Sequence, residues 1–468
     1  MPGIVAAAGY VPRYRLPREL IAREWGGSAA GGEKAVANHD EDSLTLAVSA
    51  ALELPDDAQV VDAVFLATTT SPYREKQGAA TIAAVLDLPA ATRTLDFTDT
   101  LRAGTSAMLA ALDAIAGGSA RRVLVASGEC RLGEPDSMSE QNYGDAGAAV
   151  VLGAEAGRAE VIATHSIADE FVGTWRTQAQ EFPRGIPGAF EARYGYGRVL
   201  GSVVRGLLAK ADIRPEELAT VIVPAPIPRA PQAVAKVLGL DPKTQLQESF
   251  WATIGDTGAA QPLLMLAAAL EHTRAGDLIL VAGYGDGADA ILLRATGASP
   301  AVRSSVSRQI EIKRTLPSYG RYARFRKLVR KESTISDVSS PVILFRDRKE
   351  LLPLYGGRCP QCRTVQFPKH RVCIECGHPG GLEEVKLARR GTLFTFTNDF
   401  LHETPDPPVS HAVVDLEGGG RVYCQLTDCE PERVEIDMPL ALTFRRMHDA
   451  GGFNNYFWKA RPVVLADR

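Results

Sequence analysis

Two pairs of cysteines constrain this chain more tightly than any other feature. Cys359-Pro-Gln-Cys362 and Cys373-Ile-Glu-Cys376 are CxxC knuckles separated by ten residues. A knuckle turns two thiolates toward one point, and two knuckles supply four thiolates to one tetrahedral ion. A closed shell of four leaves no position for water, so the predicted site is structural rather than catalytic. Zinc is the expected ion; iron in a rubredoxin-like site and unligated thiols are the alternatives. His370 and His378 flank the knuckles but are surplus to a four-cysteine shell and read as surface histidines. The other three cysteines, Cys130, Cys424 and Cys429, are scattered. This usage fits a reducing cytoplasm better than a disulfide framework, so a cytoplasmic location is expected.

The rest of the chain reads as ordinary globular protein. It has 468 residues, 45% of them apolar and 23% charged, with a formal net charge of −4. That balance gives no basis for nucleic-acid or membrane attraction. No stretch of 18 or more apolar residues is present, so no membrane span is expected. The opening MPGIVAAAGYVPRYRL reads as a first strand and not as a signal peptide.

Residues 1–298 alternate strand-like and helical runs. Strands are predicted at Val61–Leu66, Arg122–Ala126 and Leu278–Ala282, and helices at 41–53, 77–86, 104–117, 197–210 and 260–272. The alternation predicts a layered α/β fold. Two segments echo one another, YGDAGAAVVLG (143–153) and GYGDGADAILL (283–293). Each runs from a Tyr-Gly-Asp turn into a β-branched strand, a hint of internal duplication. The character changes over 299–342, where residues 303–332 carry ten Arg and Lys in thirty positions with aromatics interleaved. This segment reads as a basic helical linker or a groove for an anionic phosphate tail, not as a nucleic-acid patch. A cysteine-bearing ribbon is expected over 343–384, and short strands with Gly and Pro turns over 385–468 predict a small β-barrel.

One turn concentrates the chemical interest. The strand Thr94-Leu95-Asp96-Phe97 leads through a short loop into Ala103-Gly104-Thr105-Ser106-Ala107, which opens a small-residue helix. The head of such a helix offers free N–H groups to an anion or oxyanion.

With these residues laid out, the chain resembles the thiolase superfamily, close to its hydroxymethylglutaryl-CoA synthase branch. The likeness lies in Gly3-Ile4-Val5, Gly9-Tyr10-Val11-Pro12-Arg13-Tyr14-Arg15-Leu16, Glu33-Lys34-Ala35-Val36, Asp40-Glu41-Asp42-Ser43 and Ala103-Gly104-Thr105, and covers roughly residues 1–298. It implies a five-layered αβαβα fold with an internal repeat. Residues 340–468 are similar to the rubredoxin-like zinc-ribbon and OB-fold domain that accompanies thiolase-like enzymes, on the CxxC pairs, Gly391-Thr392-Leu393-Phe394-Thr395 and Tyr456-Phe457-Trp458-Lys459.

The resemblance implies a Glu, a nucleophilic Cys and a His, and at the matching positions all three are missing. The Glu position falls on Thr70, the Cys position is Leu101, and the His position falls on or beside Pro224. An asparagine of the branch is replaced by Asp256. Leu cannot form a thioester, so acyl-enzyme chemistry at this turn is not expected. The resemblance then implies aldolase or retro-aldolase action on a 3-hydroxyacyl-CoA, giving acetyl-CoA or a homologue and a carbonyl compound. Asp256 is the expected base, with Tyr73 and Tyr196 as proton donors; the ordinary roles of such residues are capping for Asp and packing for Tyr. Arg184, Arg198 and Arg229 are candidates for the CoA phosphates, although surface arginines are usually solvated. The alternatives are a CoA-binding scaffold that bridges a partner enzyme of the same pathway, and a synthase-like acyltransferase. A homodimer is expected from the superfamily.

Overall fold

The computed structural model describes residues 2–186, 188–298, 302–329 and 338–463. It separates into two compact units. The first comprises Met1–Ala37, Asp42–Ala83 and Leu88–Tyr322, the second Asn38–Glu41, Ala84–Asp87 and Ala323–Arg468.

The first unit is built on nine strands: β1 (Gly3–Tyr10), β2 (Ala63–Ala67), β3 (Arg93–Phe97), β4 (Arg122–Cys130), β5 (Asp145–Gly153), β6 (Ala159–Ala168), β7 (Leu218–Ile222), β8 (Leu278–Tyr284) and β9 (Gly287–Ala295). Their order is β7-β8-β9-β6-β1-β5-β4-β2-β3. The sheet is two copies of one pattern joined where β1 meets β6. In the first half, β1 pairs antiparallel with β5, β5 antiparallel with β4, and β4 parallel with β2. In the second, β6, β9, β8 and β7 repeat the same sequence of directions. The fifth place, filled by β3 in the first half, is marked in the second by a parallel bridge from Val221 to Leu246. The echoing Tyr-Gly-Asp segments lead into β5 and β9, which are equivalent strands, so the duplication is real.

Four helices complete the layers: α1 (Ser43–Glu53), α2 (Ala103–Ala116), α3 (Arg198–Ala211) and α4 (Gln261–Leu270). The helix α1 starts at Asp42, whose side chain accepts the Thr45 N–H in a capping box. It packs on β1, β4 and β5, and α3 packs on β6, β8 and β9. Between the halves lie α2 and α4, which touch strands of both. Gly104 makes their contact possible: a Cβ there would lie 2.8 Å from a Leu263 methyl of α4 and 2.4 Å from the carbonyl oxygen of Ala259 just before it. Ala-rich α2 and the fully buried α4 supply the middle of the largest apolar core. The result is five layers, as the resemblance implies.

The expected boundary at 298 moves. Gln309 accepts the Val11 N–H at 2.8 Å and donates to the Gly9 carbonyl at 2.9 Å. Arg314–Thr315 pairs with Tyr14–Arg15, and Tyr319 donates to Glu140 at 2.7 Å. Residues 302–322 therefore belong to the first unit and not to a linker, because their amphipathic faces satisfy buried polar groups of its N-terminal strands.

In the second unit, a three-stranded ribbon (Tyr355–Arg358, Val365–Gln366, Glu383–Lys386) carries the knuckles. A five-stranded sheet follows, made of Arg390–Asp399, Val409–Leu416, Arg421–Gln425, Pro439–Ala450 and Phe453–Pro462. A bridge between Leu426 and Ala460 closes it into the expected barrel. Trp458, fully buried, packs edge-on to Phe444 at 5.5 Å in its core. The same unit buries an ion cluster: Arg445 reaches Asp428 at 2.5 Å, Asp40 at 3.4 Å and Glu41, while Lys459 holds Asp40 at 2.9 Å.

Candidate functional site

A cavity of about 150 Å³ opens in the first unit where strands of both halves end. Thr69 and Thr70 follow β2, Leu101 follows β3, Arg131 follows β4 and Tyr284 ends β8; all of them line it. Ligand sites of open α/β sheets lie at the carboxyl ends of strands for the same geometric reason: the loops there converge.

The helix head expected from the sequence is present. Leu101 lines the cavity immediately before α2. Thr105 and Ser106 of α2 donate to the buried Asp289 at 3.0 and 2.7 Å, and Arg102 approaches the same carboxylate at 3.3 Å. This anchors the turn to β9. A Cβ on Gly285 would lie 3.0 Å from the Leu101 nitrogen and 2.9 Å from the Thr100 hydroxyl. The bare backbone at 285 thus leaves the N–H edge of the turn open.

A carboxylate from another strand stands beside Thr70. Glu129, near the end of β4, accepts the Thr69 N–H at 2.7 Å, the Thr69 hydroxyl at 3.1 Å and the Thr70 hydroxyl at 2.9 Å. Burial pushes its carboxyl above the ordinary value, against these hydrogen bonds. Its carboxyl carbon and a methyl of Leu101 each lie 3.5 Å from the place a Cβ would occupy on Gly258.

Arg131 fills the floor. It pairs with Asp256 at 2.7 Å, and its guanidinium lies 3.8 Å from the centre of the Tyr143 ring. Burial alone would lower its pKa, yet Tyr143, Asp256 and Glu129 together raise it. Glu191 and Tyr284 complete the wall, both nearly buried. Neither side chain makes a hydrogen bond or ion pair among the described residues. Burial raises the Glu191 carboxyl, reinforced by Asp256 and opposed by Arg131. Burial also raises the Tyr284 phenol, reinforced by Glu191. A carboxylate and a phenol facing one cavity without fixed partners are available to a substrate.

The residues expected from the sequence are placed otherwise. Asp256 does not line the cavity; it stands behind Arg131, its other oxygen accepting the Gly258 N–H at 2.9 Å. Both of its oxygens are engaged, which differs from the free carboxylate that the expected base would present. Tyr196 is fully buried, its hydroxyl donated to the Pro224 carbonyl, and it meets Tyr284 edge-on at 5.3 Å. It packs against Tyr284 and does not line the cavity. Tyr73 is half-buried outside the lining, with the Lys76 ammonium 5.7 Å from its ring. Arg184 pairs with Glu134 at 2.6 Å and Arg198 with Asp169 at 2.7 Å, both at the surface. Arg229 is exposed at the start of the helix Ala230–Val237. None of these three lines the cavity. Glu129, Arg131, Glu191 and Tyr284 are not among the site residues expected from the sequence. The Gly-rich turn around Tyr284 was the one available signal, since Glu129 and Arg131 lie 59 or more positions from their partners at Thr70 and Asp256.

In the second unit the four knuckle sulfurs lie within 4.8 Å of one another. Cys359 and Cys376 are 3.7 Å apart and Cys362 and Cys373 3.5 Å apart. Four Zn–S bonds of ~2.3 Å impose sulfur separations of about 3.8 Å, so the donor set fits a tetrahedral thiolate site. Among the described residues, no helix is long and apolar enough to cross a membrane.

Comparisons with known proteins agree with this geometry. Residues 208–294 match the family described as 3-oxoacyl-[acyl-carrier-protein] synthase III C terminal, and residues 384–445 match the ChsH2 C-terminal OB-fold domain. The hydroxymethylglutaryl-CoA synthase of Methanopyrus kandleri is 31% identical over 340 residues, covering 69% of this chain and 97% of that protein. The Pyrococcus furiosus enzyme of the same name is 28% identical over 335 residues, covering 70% and 93%. Among solved structures, 3-oxoacyl-(acyl carrier protein) synthase III of Pseudomonas aeruginosa superposes with a TM-score of 0.58 at 22% identity, over 65% of this chain and 99% of that one. A hydroxymethylglutaryl-CoA synthase complexed with CoA superposes with a TM-score of 0.61 at 19% identity, over 72% and 92%. These structures share the fold of the first unit.

Proposed function

We propose, from the premise that this chain belongs to the hydroxymethylglutaryl-CoA synthase family, that it makes or breaks a carbon–carbon bond beside a CoA thioester without forming an acyl-enzyme. The observation that carries this reading is Leu101, which lines the cavity at the helix head and offers no nucleophile. The reaction suited to the remaining groups is the aldol cleavage of a 3-hydroxyacyl-CoA, or its reverse.

In the cleavage direction, Glu191 takes the proton of the 3-hydroxyl, and its raised pKa makes the carboxylate a stronger base. The C3 oxygen becomes a carbonyl as the C2–C3 bond breaks, and the bond pair moves onto the thioester as an enolate. Tyr284, kept protonated by burial, and the N–H edge at Leu101 stabilise the enolate oxygen. The proton held on Glu191 then passes to C2, so protons and electrons balance. Arg131 sets the positive potential of the floor, and Asp256 fixes Arg131.

The test is mass spectrometry of protein and products after incubation with acetyl-CoA and a panel of 3-hydroxyacyl-CoAs. Acetyl-CoA release by unmodified protein, lost in Glu191→Gln, is the expected result. A covalent acyl adduct overturns the reading. It would support the second one, acyl transfer of the kind named for the relatives, which the 31% identity to the Methanopyrus kandleri synthase favours.

Cys359, Cys362, Cys373 and Cys376 are assigned to one structural zinc ion on the donor set and spacing described above. A closed four-thiolate shell holds the ribbon together and takes no part in the reaction.

A further inference from the structure

The mouth of the cavity is unlike its floor. Phe171 and Trp175 line it. Phe171 stacks on Phe190 with ring centres 6.1 Å apart, and Phe190 meets Tyr194 at 4.8 Å. Trp175, Phe190 and Tyr194 are 43%, 51% and 46% exposed. Single exposed aromatics are ordinary; what distinguishes these is that they adjoin a cavity, Trp175 directly and Phe190 and Tyr194 through Phe171. The chain geometry makes the arrangement deliberate. Phe190 and Tyr194 flank Glu191 on one helical run, which turns from the short helix Gly188–Phe190 into the π-helix Glu191–Gly197. π-helical turns are rare and occur often at functional sites. Glu191 lines the cavity, whereas Phe190 and Tyr194 reach it through their contact with Phe171.

We infer that Phe171, Trp175, Phe190 and Tyr194 form a subsite for a bulky apolar group, ring-bearing or branched, on the part of the acyl chain beyond C3. The inference rests on the aldol reading only for the identity of the reacting carbon. Aromatic faces at the entrance bind apolar surface, whereas the Thr, Arg and Glu side chains of the floor handle the polar thioester and hydroxyl. A substrate carrying only a methyl group beyond C3 leaves the aromatic cluster in water; one carrying a cyclohexyl group covers it.

The experiment compares 3-hydroxyacyl-CoAs bearing a methyl or a cyclohexyl group at C3, in the native protein and in Phe190→Ser and Tyr194→Ser. Both kcat/KM for cleavage and Kd by calorimetry are measured; both positions are exposed, so the variants are expected to fold. A preference for the cyclohexyl substrate of about tenfold or more, falling severalfold in each variant, is expected. Equal values for the two substrates, unchanged in the variants, overturn the subsite even if both are cleaved. A cyclohexyl preference in Kd that falls in the variants, with no cleavage of either compound, upholds the subsite and overturns the aldol reading instead.

Discussion

The carboxylate of Asp256 holds the guanidinium of Arg131 at 2.7 Å, with each side chain only 3% exposed. Two charges this deep are stable only together; Arg131 lines the cavity and Asp256 stands behind it. Removing one partner leaves the other uncompensated. Asp256→Ala is expected to destabilise the first unit by about 3–5 kcal/mol, measured by denaturant unfolding of the full chain. A general base would behave differently: Asp256→Asn would then abolish turnover with stability intact.

Glu191→Gln is expected to abolish cleavage and to change stability in a pH-dependent way. The folded-state pKa of Glu191 is raised, so its contribution to stability is fully present below the ordinary carboxyl value and is lost as pH rises through the folded value. Glutamine does not ionise. The melting temperature of the variant should therefore gain on that of the native protein over the pH range that opens above the ordinary carboxyl value. A constant difference across that range would show that Glu191 is not a desolvated acid.

Gly285→Ala places a methyl 3.0 Å from the Leu101 and Arg102 nitrogens. It should block the N–H edge of the turn and cost about 10²-fold in kcat, the order seen when one oxyanion donor is lost. Binding of CoA alone, followed by calorimetry, should hardly change. Unaltered kcat would remove the turn from the reaction.

Cys373→Ser opens the four-thiolate shell. One zinc per chain is expected in the native protein by elemental analysis, and loss of most of it in the variant. Without the ion the ribbon has little of its own to hold it, since the apolar cluster there is Cys359, Cys373 and Leu382. A calorimetric transition of the second unit should therefore shift down by roughly 5 °C or more. An unchanged scan with zinc absent would show that the ribbon folds without metal.

Arg445→Met removes the cation shared by Asp40, Glu41 and Asp428. Lys459 remains on Asp40 alone. At least about 3 kcal/mol of stability should be lost at neutral pH. The deficit should shrink in acid as the carboxylates protonate, because Arg445 and Lys459 hold the Asp40 carboxyl far below its usual range in the native protein. Denaturant titrations at two pH values read this directly.

The sequence by itself determined what depends on neighbours along the chain. The helices were legible because small apolar residues recur at helical spacing, and α1 to α4 begin and end within about two residues of where the pattern places them. The Tyr-Gly-Asp echo located the equivalent strands β5 and β9, and the CxxC spacing located the thiolate site. That residue 101 is a leucine, with no nucleophile to offer, is read from the sequence directly. Tertiary structure alone decided which groups face the cavity. Glu129 meets Thr69 and Thr70 from a neighbouring strand, Arg131 takes Asp256 from a distant turn, and Glu191 lines the cavity from a π-helix. Asp256 sits in a Gly-rich turn that invites a catalytic reading, and its pairing with a buried arginine is visible only in the structure. Local pattern fixes backbone conformation because the terms involved act within a few residues. Burial and partner choice are sums over residues scores apart in sequence, and those sums set which carboxylate meets the cavity unpartnered.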